Sequence, residues 1–464
     1  MKKLVLMLLV LCMVTTSLAG CGVKDASDKE LKTITIWTNN SHSKPFYLKK
    51  TEEFNKTVGK KLGVKVEYIV KENCAQEVEL AFASDQAPDL MVGNAQKLAG
   101  EGDIIAFDDM KNGQKYVDKY KDYSSSISLF VDGKMYALPK AYSTYGLVYN
   151  KDMFKAAGIV DEKGEAKPPR TFDELVEVSK KLTNPSKRQY GIIFQGKIGC
   201  AYASLINERA AASGGAVGGF VKKDGKYDFT VQGEIMKTLI KLRDDGSFVP
   251  GSNTLTNDAA RARFAAGNIG MKFSGSFDYA VFTEQFPIKG FEWGVAPCPV
   301  LNADERCYEY ALLSGNLLIN KKSYEKYGED IILAVYDYYS SDDFLIEEYK
   351  EGYTIPYSYD MIKNVKSDVG EQWDDFAKLL DISATMAKIP GKTQNPVQCD
   401  TTGIEPLATT WNSLWAGEIK VSQIDGIVAN YNKAMNDGVA KYSQLHPDYV
   451  QPVADPTYDT RIKK

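Results

Sequence analysis

Strand and helix patterns alternate near the start of the chain, and this alternation constrains the fold most strongly. Residues 33–37 form a run rich in β-branched side chains, and apolar residues alternate with others from Val64 to Val70. Between them, apolar residues recur every four positions from Phe54 to Leu62, as on one face of a helix. Residues 78–83 repeat the helical pattern before a third short strand at 89–92. This order predicts βαβ units and a parallel sheet.

Loops after the strands of such a sheet are candidate binding positions. Ligands on α/β sheets bind beyond the carboxyl ends of the strands. The first predicted strand is followed by residues 39–42 and the third by Gly93 and Asn94. These two loops are therefore candidate binding positions.

A second α/β segment follows. Residues 136–149 are extended and carry four tyrosines, and Thr171 with Glu174 three positions later is typical of a helix start. Strands are predicted at 191–194 and 269–273, and Trp411 lies on a predicted helix. The whole chain is therefore expected to be of the α/β class.

The N-terminus has the pattern of an export signal. Lys2 and Lys3 precede a short apolar run, which ends in small residues and Cys21. The ending Leu-Ala-Gly-Cys resembles the lipobox of bacterial lipoproteins, in which Cys21 would carry the lipid; an ordinary cleaved signal with a chance cysteine is the alternative. We expect residues 1–20 to be the signal peptide and residues 21–31 a polar tether.

Composition argues against several classes of protein. The 464 residues include 57 basic and 61 acidic side chains, a net charge of −4, so no nucleic-acid partner is expected. Two histidines leave little material for metal sites or a Ser-His-Asp triad. Residues 191–197 fit the spacing of a phosphate-binding loop, but Ile198 stands where a hydroxyl must reach magnesium. No metal and no cofactor are predicted.

Five cysteines remain after the signal peptide and Cys21. Their number is odd and their spacing irregular, which argues against a disulfide framework and favours buried thiols. A surface bridge between Cys298 and Cys307 is the alternative, and the redox state of all five is left open: Cys74, Cys200, Cys298, Cys307 and Cys399.

Aromatic and uncharged polar residues are concentrated in the predicted loops. Flat rings cover the apolar faces of sugar rings, while amides and hydroxyls bind the sugar hydroxyls. The residues that favour a neutral polyol ligand on this ground are Asn39, Asn40, Asn94, Tyr142, Ser143, Tyr145, Tyr202, Phe277 and Trp411.

Several short motifs, in a fixed order behind the lipobox, resemble the extracellular solute-binding proteins of ABC importers, the family of maltose-binding and other oligosaccharide-binding proteins. These motifs are TITIW at 33–37, APDL at 87–90 with Gly93-Asn94, YNKD at 149–152, PPRTFDEL at 168–175, FAAGNIGMKFSGSFDY at 264–279, WGVAPCPV at 293–300, LLSGNLLINKKS at 312–323 and LWAGEIKVSQ at 414–423.

The resemblance implies a two-lobe periplasmic-binding-protein fold, similar to type II, with crossing hinge segments. One lobe would hold residues 32–138 and 315–370, and the other residues 142–312 and 375–464. Crossings are expected near Lys140, Leu313 and Glu371.

The same resemblance implies the ligand contacts. In the first lobe and the crossing these would be Asn40, His42, Asp89, Asn94, Ser143 and Tyr145; in the second, Tyr202, Phe277, Asp278, Glu405 and Trp411. The chain carries Phe277 where many relatives have tryptophan, a difference that bears on the preferred sugar.

The implied function is that of a monomeric, non-enzymatic receptor on the outer face of the cell membrane. It would capture a carbohydrate between its lobes and deliver it to an ABC permease. A surface glycoside-active enzyme is an alternative, motivated by Asp89, Asp278 and Glu405, since such enzymes use two carboxylates. A binder of peptides, amino acids or metal would need a charged cluster, whereas the inferred cleft is mostly neutral.

Overall fold

A computed structural model describes residues 31–121, 129–197, 201–384, 406–445, 454–457 and 460–461. Helices and strands alternate through this part of the chain, as the α/β class requires. The strands are β1 (Lys32–Thr38), β2 (Val64–Val70), β3 (Leu90–Met91), β4 (Phe130–Val131), β5 (Lys134–Met135), β6 (Pro139–Ser143), β7 (Tyr145–Asn150), β8 (Tyr190–Ile193), β9 (Phe220–Val221), β10 (Lys226–Tyr227), β11 (Ile269–Gly275), β12 (Trp293–Pro297), β13 (Glu309–Tyr310), β14 (Leu312–Gly315), β15 (Leu318–Ile319), β16 (Ile355–Pro356) and β17 (Ser383–Ala384).

The helices lie mainly on the faces of the sheets. They are α1 (Lys44–Lys56), α2 (Val58–Leu62), α3 (Cys74–Ala83), α4 (Ala95–Glu101), α5 (Gln114–Tyr120), α6 (Lys151–Ala156), α7 (Phe172–Leu182), α8 (Thr230–Asp244), α9 (Asn257–Ala265), α10 (Asp278–Ala280), α11 (Lys321–Tyr327), α12 (Glu329–Ser340), α13 (Asp342–Lys350), α14 (Glu371–Lys378), α15 (Leu407–Ala416) and α16 (Ile424–Leu445). None of the helices in the described ranges is long and apolar enough to cross a membrane.

The first sheet has the strand order β15-β3-β1-β2. Strand β1 pairs in parallel with both β2 and β3, which confirms the predicted βαβ arrangement. The predicted helix from Phe54 to Leu62 is interrupted at Thr57, and Gly63, with a φ of 71°, ends it before β2. Glycine adopts this left-handed conformation without the strain that a side chain would add.

The second sheet has the order β12-β7-β11-β8. Strand β7 pairs antiparallel with β11 and β12, whereas β8 runs parallel to β11. Helix α7 packs on this sheet and begins as predicted, because the Thr171 side chain accepts a hydrogen bond from the Glu174 N–H. The predicted strands at 191–194 and 269–273 are both members of this sheet.

A small third sheet, β14-β6-β16, joins the two larger ones and is called the connecting sheet below. Strand β6 pairs antiparallel with β14 and with β16. Lys140 and Leu313, where crossings were expected, lie on β6 and β14. The third connecting strand is Ile355–Pro356, whereas the expected position, Glu371, begins helix α14.

Three apolar clusters fill the interior. One surrounds the first sheet and one the second. The third packs Tyr349, Ile355 and Trp373 against Phe264 and Trp293 of the second lobe. The division of the chain into lobes at residues 370–375 stays a prediction. Tyr349 and Ile355, which precede that boundary, already pack against residues of the second lobe.

Three cysteines in the described ranges, Cys74, Cys298 and Cys307, are buried free thiols. The alternative of a bridge between Cys298 and Cys307 is therefore not realised here. Burial raises the pKa of the Cys298 thiol to about 12, so this group stays protonated.

Candidate ligand-binding cleft

A cavity of about 900 Å³ lies between the two lobes, and we call it the cleft. Its walls come from the loop after β1, from the connecting sheet, and from helix α9 with the turn after β11. Cavities of about 300–1,000 Å³ are usual for small-molecule sites. The cleft is therefore large enough for a ligand of several rings.

The first wall is fixed by the end of strand β1. The Thr38 hydroxyl donates to the Tyr68 hydroxyl over 2.9 Å and accepts from the Asn40 N–H over 3.4 Å. These bonds hold the loop that carries Asn40 and His42, both of which line the cleft. Tyr47 and Tyr68 add aromatic surface beside them.

The connecting sheet forms the floor of the cleft, where Lys140 and Ser143 line the cavity. Lys140 Nζ lies 3.6 Å from Glu348 Oε1 and 4.8 Å from the centre of the Tyr47 ring. Glu348 is fully buried and also accepts hydrogen bonds from Tyr47 and Thr354. The single positive charge on the floor is thus balanced by a buried carboxylate.

The opposite wall carries Phe277, Arg261 and Asp258. The Phe277 ring is partly exposed, and the Arg261 guanidinium carbon lies 5.8 Å from its centre. Arg261 donates to Asp258 over 2.8 Å and, through Nε, to Asp278 over 2.8 Å. The two carboxylates partly offset the positive charge that Arg261 presents to the cleft.

Beneath Phe277, Asp278 forms a buried ion pair with Lys272 at 3.0 Å. Burial alone would raise the pKa of the Asp278 carboxyl, but the adjacent Lys272 and Arg261 outweigh it and lower that pKa. Asp278 is therefore ionised and forms ion pairs with these two cations.

His42 is neutral at physiological pH. Burial, with the positive charges of Lys140 and Arg261, lowers its pKa to about 4. A neutral imidazole presents one donor and one acceptor, which suits a hydroxyl group.

The structure brings together only some of the predicted contacts. The predicted residues that line the cleft are Asn39, Asn40, His42, Tyr142, Ser143 and Phe277. Tyr145 and Asp278 line a smaller cavity next to it, of which Phe277 is also a wall.

Two predicted contacts in the first lobe have structural roles instead of lining the cleft. Asp89 is buried and accepts from the Thr35 N–H over 2.7 Å and from the Ser323 hydroxyl over 2.6 Å. Asn94 caps helix α4 by accepting from the Lys97 N–H. Both side chains stabilise loops at the edge of the first sheet.

In the second lobe, Trp411 is buried in the second cluster with its ring centre 5.5 Å from that of Trp415. Tyr202 packs against the same cluster. Neither is among the residues that line the cleft. Glu405 and Cys21 lie outside the described residues.

A comparison with protein-family models matches residues 39–346 to the bacterial extracellular solute-binding proteins. This match covers more than half of the chain and includes all the residues that line the cleft except Thr38 and residues 353–355. The chain belongs to this family.

Curated relatives of this solute-binding protein are similar over only part of their length. A binding protein of Brucella abortus is 30% identical over 171 residues, 36% of this chain and 39% of the relative. The arabinooligosaccharide-binding protein of Bacillus subtilis is 24% identical over 265 residues, 54% of this chain and 57% of the relative.

Solved structures match the solute-binding protein over most of its length. The GacH receptor of Streptomyces glaucescens, solved with and without acarbose, superposes with a TM-score of 0.65 at 20% identity, covering 90% of this chain and 100% of that one. A maltotriose-binding protein of Thermus thermophilus gives 0.61 at 19% identity, covering 88% and 100%. These similarities confirm the two-lobe fold.

Sequence reasoning missed the charged residues of the cleft. Lys140, Asp258, Arg261 and Glu284 all line it, whereas the other lining residues are uncharged, so the lining is mostly neutral as expected. Lys140 is the one charged residue in the extended stretch 136–149, which is a signal that could have been used. Among the described residues, no group of three or more His, Cys, Asp or Glu side chains could hold a metal ion.

Proposed function

We propose that this solute-binding protein captures a neutral carbohydrate of several rings in its cleft and delivers it to an ABC transporter. The observation that carries the proposal is the cleft itself, which combines aromatic rings, hydroxyls, amides and a neutral imidazole in about 900 Å³. The names of the arabinooligosaccharide-binding and maltotriose-binding relatives agree with this ligand class.

The charges of the cleft favour a neutral ligand over an anionic one. Arg261 is bonded to two carboxylates, and Lys140 lies near Glu348. An anion would have to compete with the carboxylates that already pair with Arg261 and Lys140. A hydroxyl group can hydrogen-bond to these side chains without displacing the carboxylates. A relative of Brucella abortus named for sn-glycerol-3-phosphate binding, 34% identical over 110 residues, makes phosphorylated polyols the necessary comparison ligand.

We propose no catalytic role for the protein. Of the carboxylates that motivated a glycosidase, Asp89 is bonded to Thr35 and Ser323, and Asp278 is paired with Lys272. Neither is available as a general acid or nucleophile. Recovery of an unchanged oligosaccharide after long incubation would support this view, and the appearance of shorter products would contradict it.

The connecting sheet supports closure of the two lobes over the ligand. Only a closed form contacts the ligand from both walls, so binding would shift the population toward it. We propose that the closed form is the one that the permease recognises, and that the protein acts as a monomer.

Lipid attachment at Cys21 is also a proposal, and it rests on the Leu-Ala-Gly-Cys motif whose last residue is Cys21. It would hold the protein at the extracytoplasmic face of the membrane. Radiolabelled palmitate should be incorporated into the unchanged protein and not into a Cys21→Ser variant; equal labelling of the two would contradict it.

The direct test of the ligand class is thermal unfolding of the full chain with candidate ligands. Glucose, maltose, maltotriose, xylobiose and arabinotriose represent the neutral class, and sn-glycerol-3-phosphate the anionic one. A ligand at 100 times its dissociation constant stabilises the protein by about 2.7 kcal/mol. Stabilisation by a neutral sugar is expected; stabilisation by the phosphate ester alone would overturn the proposal.

A further inference from the structure

A second cavity of about 110 Å³ lies in the second lobe beside the cleft. Phe277 contributes to the walls of both cavities, so its ring stands where they adjoin. We call the smaller one the side pocket. The residues of its wall that matter here are Gln195, Asn257, Lys272, Asp278, Arg209 and Tyr145.

Two acceptor atoms in the wall of the side pocket lack partners. Gln195 Oε1 and Asn257 Oδ1 are buried and have no hydrogen-bond partner among the residues that the structure describes. A buried polar atom without a partner costs about 1–3 kcal/mol. Both atoms therefore favour an occupant that donates hydrogen bonds.

The ions of the side pocket are already paired with one another. Lys272 lies 3.0 Å from Asp278, and Arg209 lies 3.3 Å from the fully buried Glu309. The Arg209 guanidinium also stacks on Tyr145, at 4.5 Å from the ring centre. With cations and carboxylates balanced, the pocket offers its free acceptors to a neutral group more readily than to an ion.

We propose that the side pocket is a subsite for one neutral, hydroxyl-bearing unit of the ligand, whose hydroxyls donate to Gln195 Oε1 and Asn257 Oδ1. This inference rests on the proposed function. A cavity of about 150 Å³ holds a benzene ring, so the side pocket, at about 110 Å³, has room only for a group smaller than that ring, such as a hydroxymethyl branch. It would select ligands with a terminal or branching unit that passes Phe277.

Two substitutions test the subsite. Asn257→Leu and Gln195→Leu each remove an unpartnered acceptor and keep a similar volume, and the exposed Asn364→Leu is the matched control. Each full-length protein would be titrated with the six ligands named above. We expect about tenfold weaker binding of the preferred sugar by the two pocket variants and a change below about twofold for the control.

Unliganded thermal unfolding checks that the variants fold. Because leucine removes an unsatisfied acceptor, the melting temperature of each pocket variant should be no lower than that of the unchanged protein. A crystal structure of the complex gives an independent readout, since a sugar hydroxyl is expected at about 3 Å from Gln195 Oε1 or Asn257 Oδ1. Water alone in the side pocket would overturn the inference.

The outcomes separate the two proposals. If the unchanged protein binds a neutral sugar and both pocket variants bind it equally well, the subsite inference fails and the proposed function stands. If the unchanged protein binds none of the neutral sugars, the proposed function fails and the subsite inference fails with it.

Discussion

The ring of Phe277 lies directly over Gly275, so closely that a Cβ atom on Gly275 would be 2.3 Å from Phe277 Cε1. The glycine at the end of strand β11 therefore sets the position of the aromatic ring in the cleft. It does so through the missing side chain, because real Cβ contacts do not approach this distance. The Phe277 ring can thus adopt this orientation because residue 275 has no side chain.

Gly275→Ala should weaken sugar binding by displacing the Phe277 ring. We expect a loss of about 1 kcal/mol in binding, the size of one aromatic contact, measured by isothermal titration calorimetry. Gly290→Ala is the matched control, because nothing lies within 4 Å of a Cβ there. Equal affinity of the two variants would show that the ring does not contact the ligand.

Phe277→Ala should weaken binding further, by about 2 kcal/mol, because it removes both the contact and the buried apolar area of the ring. Phe277→Trp should retain most of the affinity, since the larger ring provides the same face. Unchanged affinity in Phe277→Ala would show that the proposed stacking role is wrong.

Lys272→Met should destabilise the second lobe. Lys272 and Asp278 are each 1% exposed, so the substitution leaves a buried carboxylate with Arg261 as its remaining cation. Removing one partner of a buried pair costs about 3–5 kcal/mol, and the lower figure is expected here. Lys56→Met, which breaks an exposed pair with Glu52, should cost less than about 1 kcal/mol in the same urea titration. Similar losses in the two would contradict the pairing argument.

The pH dependence of stability should report on His42. Its pKa is about 4 in the folded protein and about 6.5 in the unfolded chain, so the unfolded chain binds more protons between these values. The free energy of unfolding should therefore fall as the pH is lowered from 6.5 toward 4. In His42→Gln this part of the loss should disappear, as measured by melting temperature against pH. Parallel curves for the two proteins would contradict the prediction.

Much of the fold is encoded in local patterns. The strands β1 and β2 follow from β-branched and alternating residues, and the start of helix α7 follows from the Thr171 cap. These signals act between neighbours in sequence, so they can be recognised without knowing the tertiary structure. The order of short motifs indicated the two-lobe fold, which the solved structures confirm.

The charged part of the site could not be found in this way. Lys140 and Glu348 are 208 positions apart in sequence, and Arg261 meets Asp278 only because helix α9 packs beside the turn after β11. Loop position likewise suggested Asn94 as a contact, but its side chain caps a helix. Whether a polar residue binds a ligand or the chain itself depends on tertiary neighbours, which local patterns do not specify.

The last prediction concerns Glu348, which links the floor of the cleft to helix α13. Its carboxylate accepts from Thr354 over 2.7 Å, just before strand β16, and lies 3.6 Å from Lys140 on strand β6. Glu348→Gln keeps an acceptor for Thr354 but removes the charge that balances Lys140. Stability should fall by about 3 kcal/mol in a urea titration.

The control for Glu348 is Glu351→Gln, which removes a partly exposed partner of Lys49 and should cost less than about 1 kcal/mol. A double variant, Lys140→Met with Glu348→Gln, removes both charges together and should recover most of the lost stability, because the penalty comes from the unbalanced cation. If the double variant recovered nothing, Glu348 would instead act through its hydrogen bonds to Tyr47 and Thr354. The charge on the floor of the cleft would then have no part in holding the connecting sheet.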